Sequence, residues 1–89
     1  MADRVLIIDG DTQSRTMLGR ALRAGLILAE TAVTGEEGLE RLNLMEYDLV
    51  VLDVDLPGID GFHVIQTLRR RGSRVPIIVV SSHSEDYEQ

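Results

Sequence analysis

The 89-residue chain contains no cysteine, no lysine and no tryptophan. Without cysteine there is neither a disulfide framework nor thiolate chemistry, which suits a reducing compartment. Aromatic residues make up only 3% of the chain, so its core must be aliphatic. No run of about 18 apolar residues is present to span a membrane, and the N-terminus lacks a secretory pattern. A soluble, cytoplasmic protein without membrane contact is the default expectation. Basic charge is also scarce: fifteen acids oppose nine bases, a net charge of −6. Such a field repels nucleic acid on average, so direct nucleic-acid binding is not expected.

What is present is a globular composition, 44% hydrophobic, in a chain long enough for one small domain. All nine bases are arginine. Their one cluster, Arg69-Arg70-Arg71, falls at the end of a predicted helix, where cations complement the C-terminal dipole. The competing reading of that cluster is a phosphate-contact patch.

Strand-like and helix-like segments alternate. Val5 to Ile8 is a β-branched-rich apolar run, the pattern of a strand covered on both faces. Thr12 to Ala24 reads as a helix with a stripe of Met17, Leu18, Ala21 and Leu22, stopped at Gly25. Ile27 to Ala32 is a weaker strand that contains Glu30 and suits a sheet edge. Thr34 and Glu37 form a capping box before a stripe of Leu39, Leu42 and Met45. Leu49 to Leu52 is the third strand. Asp60 caps a helix whose inner face is expected to be Phe62, Ile65 and Leu68, ended by Gly72. Pro76 leads into a fourth strand, Ile77 to Val80, and Ser82-His83-Ser84-Glu85 resembles the start of another helix. The order β-α-β-α-β-α-β implies a parallel sheet with right-handed crossovers and helices on its faces.

In such sheets ligands collect beyond the carboxyl ends of the strands. Asp9, Asp53 and Ser81 each stand there. Carboxylates held together suit a hard divalent cation such as Mg2+, and a carboxylate can also attack a phosphoryl group. Ser81 could hydrogen-bond a phosphoryl oxygen. Gly58 and Gly61 would let the turn behind Asp53 pass closely. A plainer reading stands beside this one. Acids after strands are common turn formers and helix caps, a role that fits Asp9, Asp11 and especially Asp60, and Ser81 and Ser82 could simply end a strand. His63 and His83 lack metal-ligand spacing and are read as non-catalytic.

The stretches "RVLIIDGD", "LVVLDVDLPGIDGF" and "VPIIVVSSHS" resemble, in order and spacing, the strand-end motifs of the receiver domain of bacterial two-component response regulators. "GEEGLERL" is similar to that family's second helix. The resemblance covers residues 1–89 and implies a flavodoxin-like, CheY-like, doubly wound α/β fold. It implies Asp53 as phosphoacceptor, Asp9 in the acidic metal pocket, the backbone carbonyl of Asp55 as a Mg2+ ligand and Ser81 as the switch hydroxyl. The donor would be a histidine kinase or phosphotransferase, and the output an effector domain or partner protein. Catalysis would extend only to the domain's own phosphorylation and dephosphorylation.

The sequence departs from the family pattern in two ways. Gly10 stands where the second of two adjacent acids belongs, which predicts weak Mg2+ binding unless Asp11 or water substitutes. The family's fifth strand, its terminal lysine and its fifth helix have no counterpart in these residues. The expected sheet is therefore incomplete, with four strands, three helices and the start of a fourth helix, and the chain is expected to self-associate. Two other functions compete. One is a degenerate receiver that binds partners or dimerises without phosphorylation. The other is a haloacid-dehalogenase-like phosphatase, for which Asp53-Val54-Asp55 mimics the D-x-D motif, although here it closes a third strand rather than a first.

Overall fold

The computed structural model describes residues 3–81. Seven elements follow one another: β1 (Arg4–Ile8), α1 (Thr12–Ala24), β2 (Leu28–Ala32), α2 (Gly35–Leu44), β3 (Leu49–Asp53), α3 (Gly61–Arg70) and β4 (Ile77–Val80). The strands are parallel, in the order β2-β1-β3-β4. β2 is an edge, as its mixed composition predicts. The expected helical start at Ser82–Glu85 lies outside the described residues.

Two apolar layers enclose the sheet because successive strand residues face opposite sides. Leu6, Ile8, Ala32, Val50 and Leu52 meet Leu39 of α2 and Val64 and Leu68 of α3. Val5, Ile7, Ala29 and Val51 meet Leu18 and Leu22 of α1. Gly38 makes the α2 contact possible: a Cβ there would lie 2.4 Å from Ile8 Cδ1.

The structure corrects several details of the expected stripes. Phe62 is 64% exposed, whereas Gly61, Val64 and Leu68 are buried and Ile65 packs beside them. Phe62 precedes Val64 by two residues, about 200° around the helix, so the two cannot share a face. Met17 is 66% exposed because the sheet contact runs along Leu18 and Leu22, one step further round. Met45 leaves its stripe because it is the extended C-cap of α2, at φ −141°. Its sulfur instead accepts a hydrogen bond from Arg4 Nη1.

β2 starts at Leu28 rather than Ile27. The Ile27 N–H closes the end of α1 by donating to the Leu22 carbonyl, so it is not available to the sheet. The turn's left-handed residue is Leu26, at φ 64°, not the preceding Gly25. The capping box of α2 is present in a stretched form. Glu37 N–H donates to Thr34 Oγ1, while Glu37 Oε1 reaches past the cap to accept from Val33 N–H.

Candidate functional site

Strand register builds the site. Ile8 pairs with Leu52 on the adjacent central strands, and Asp53 pairs with Val80. The next residue along each strand therefore brings Asp9, Asp53 and Ser81 to one end of the sheet, as the sequence predicts. Asp9 and Asp53 are the buried charged residues among those described, 2% and 1% exposed.

Each acid is fixed by the backbone two residues ahead. Asp9 Oδ1 accepts from Asp11 N–H at 2.9 Å, and Asp53 Oδ1 accepts from Asp55 N–H at 3.1 Å. Ser81 Oγ donates to Asp55 Oδ2 over 3.5 Å. The Asp11 carboxylate caps α1 by accepting Ser14 N–H, and Asp60 caps α3 by accepting His63 N–H. The capping reading of those two acids therefore holds. His63 is exposed and, among the described residues, meets the site through this backbone bond, and His83 lies outside the described residues.

Two glycines let the loops close over the acids. A Cβ on Gly61 would lie 2.9 Å from both the Asp53 carbonyl oxygen and Val54 Cα, so α3 starts directly against the backbone of the phosphoacceptor candidate. Gly58 takes φ +78° in the intervening turn, a conformation that suits a residue without a Cβ. Gly10 is covered by the Pro57 ring, whose Cδ would lie 3.0 Å from a Cβ at that position.

Sequence reasoning missed Arg15. Its Nη1 donates to the Asp9 carbonyl oxygen at 2.8 Å and its Nη2 to Thr12 Oγ1 at 3.2 Å, which ties α1 to the end of β1. The only available signal was a basic residue in the second turn of a helix that follows an acid.

Burial raises the Asp9 carboxyl from its ordinary value. The Asp11 N–H opposes this, while the charges of Asp53 and Asp11 add to it. The folded protein thus keeps a proton on Asp9 to higher pH than the unfolded chain does. Stability falls as pH rises from the unfolded value, near ~4, towards the raised folded value, and the penalty is complete above it. Asp9→Asn keeps an acceptor for Asp11 N–H and removes the charge. It should raise Tm by several degrees at neutral pH, and the gain should vanish below about pH 4. A pH series of thermal melts checks this. A gain that does not depend on pH would show that charge is not its cause.

Two close, buried carboxylates suit a cation. No three side chains of His, Cys, Asp or Glu among the described residues form a metal-holding group. A cation here would therefore have to complete its shell with backbone carbonyls or water, as Mg2+ commonly does. A cavity of about 160 Å³ lined by Asp9, Ser14, Met17, Leu18, Val80 and Ser81 adjoins the acids.

The parallel α/β sheet thus carries an acid at the end of each central strand and a hydroxyl at the end of the neighbouring strand. Comparison with known proteins shows the family. The response regulator receiver domain family matches residues 5–89. The transcriptional regulatory protein AfsQ1 of Streptomyces coelicolor is 40% identical over 84 residues, which cover 94% of this chain and 37% of that protein. A protein-glutamate methylesterase/protein-glutamine glutaminase of Anaeromyxobacter dehalogenans is 42% identical over 83 residues, 91% of this chain and 23% of its own. The response regulator TrrA of Thermotoga maritima, solved in complex with Mg2+-BeF, superposes with a TM-score of 0.86 at 31% identity, covering 98% of this chain and 76% of that one. This chain belongs to the receiver-domain family of two-component response regulators, and it spans 37% and 23% of the length of those two curated relatives.

Proposed function

We propose that the chain accepts a phosphoryl group on Asp53 from a histidine kinase or phosphotransferase and signals through an effector domain or partner protein in the cytoplasm. The observation that carries this reading is the buried Asp9–Asp53 pair at the ends of adjacent strands. Asp53 would supply the attacking carboxylate oxygen. Asp9, Asp53 and the Asp55 carbonyl would hold Mg2+, which would neutralise charge on the transferring oxygens. Ser81 would follow the phosphoryl group. Incubation with a small-molecule phosphodonor and Mg2+, read by intact mass, tests the proposal. A gain of one phosphoryl group supports it, and an unchanged mass refutes it.

A second reading, a degenerate receiver that works without phosphorylation, is favoured by Gly10. Gly10 removes one carboxylate and with it part of the Coulomb attraction for a cation. Gly10→Asp should tighten Mg2+ binding severalfold in a metal titration, with the Pro57 ring giving way by a few tenths of an ångström. An unchanged affinity would mean that the acid is already replaced, or that the pocket takes no metal.

Self-association forms part of the same proposal. Among the described residues β4 pairs with β3 alone. Its Ile78 and Val79 point to opposite faces and are 52% and 44% exposed. An apolar edge of this kind is a template for another chain. Sedimentation of the 89-residue chain should show concentration-dependent association, and a compact monomer at all concentrations would refute it.

A further inference from the structure

Three of the nine arginines line one groove between α1 and the edge strand β2. Arg15, Thr16, Arg20, Arg23 and Thr31 surround a cavity of about 240 Å³. No carboxylate lines it among the described residues, although the chain carries a net −6. The ion pairs of the described residues use Arg4 and Arg41 instead.

Two of the three guanidiniums are held in place by uncharged partners, which leave their charge intact. Arg15 is anchored on the Asp9 carbonyl and Thr12 Oγ1. Arg23 Nη2 donates to the Ala29 carbonyl oxygen at 2.9 Å. Arg23 lies across Gly19, where a Cβ would come within 2.9 Å of its Nη1. The third, Arg20, is exposed and makes no side-chain hydrogen bond among the described residues.

We propose that this groove docks an extended acidic segment of a partner protein. Side chains fixed in advance lose little further freedom on binding, which favours recognition. The spacing selects the ligand class. From Arg15 to Arg23 the helix rises about 12 Å, too far for one phosphate. An extended chain with an acid at every second residue places three carboxylates on one face over about 13 Å. The polar groove offers hydroxyls beside the guanidiniums, and guanidinium forks pair geometrically with carboxylates. Single-stranded nucleic acid, the other extended polyanion, binds with the help of aromatic stacking platforms, and no aromatic residue among those described lines the groove. The proposal does not depend on phosphorylation of Asp53.

The test uses the whole chain and a fluorescent peptide with glutamate at alternate positions, followed by anisotropy at low and at physiological salt. Saturable binding that weakens with salt is expected. Arg20→Glu should weaken it about tenfold, whereas Arg70→Glu, the same charge change at the far end of α3, should alter it by less than about twofold. Arg20 is exposed, so its loss leaves the fold intact, and circular dichroism verifies this. No binding, or equal losses in the two variants, would overturn the proposal. So would an oligothymidylate that binds as tightly with the same dependence on Arg20.

Discussion

Asp53→Asn is expected to abolish phosphoryl incorporation, leaving intact mass at background after treatment with phosphodonor and Mg2+. The substitution is nearly isosteric at a site that is 1% exposed. An asparagine oxygen can still accept the Asp55 N–H that now meets Asp53 Oδ1, so the turn behind β3 keeps its anchor. What disappears is the negatively charged oxygen able to form an acyl phosphate. The change also removes one partner of a repelling pair, because the Asp53 charge contributes to raising Asp9. The variant should therefore be folded, no less stable at neutral pH, and chemically silent. Trapping of the acyl phosphate and peptide mapping complete the test. Label that survives the substitution, or that maps to Asp9 or Asp11 in the unaltered chain, would remove Asp53 from its assigned role.

Gly61→Ala is expected to be the most damaging single-methyl change near the site. Its Cβ would sit 2.9 Å from the Asp53 carbonyl oxygen and from Val54 Cα. Backbone atoms cannot swing aside as a side-chain tip can. Either the first turn of α3 or the end of β3 has to move, and overpacking of this kind costs about 1–3 kcal/mol. α3 contributes Val64 and Leu68 to the core, so moving the helix loosens packing, while moving the strand end displaces the carboxylate. Both outcomes lower denaturation midpoints, and the second also slows labelling of Asp53. A Gly61→Ala protein with unchanged melting and labelling would show that the contact relaxes without consequence.

The sequence was most informative where one residue type could do one job. Asp11, Thr34 and Asp60 read as helix caps, and each accepts the expected N–H. Continuous apolar runs gave the strands to within a residue, because buried parallel strands need apolar residues on both faces. Helix faces were less legible. Phe62 and Met17 look like core residues by composition, but both lie off the face that meets the sheet, and hydrophobicity alone does not fix the rotation of a short helix. The strand ends carrying Asp9, Asp53 and Ser81 could be read from order alone once the strands were taken as neighbours. Arg15 could not, since its partner is a carbonyl oxygen, and every residue carries one. The position of Pro57 over Gly10 was equally hidden, because it depends on how one loop folds across another.

The two central strands carry both the most buried part of the sheet and the two acids. β1 and β3 come from distant parts of the chain, so their pairing is a long-range event of the kind that slows folding. Any species in which those strands are zipped to their ends already holds the two carboxylates face to face. Their repulsion is therefore built into the middle of the folding reaction and is not confined to a removable loop. Solution conditions that quiet the acid pair should favour closure of the sheet itself. The chemistry of this domain and the assembly of its centre draw on the same few atoms.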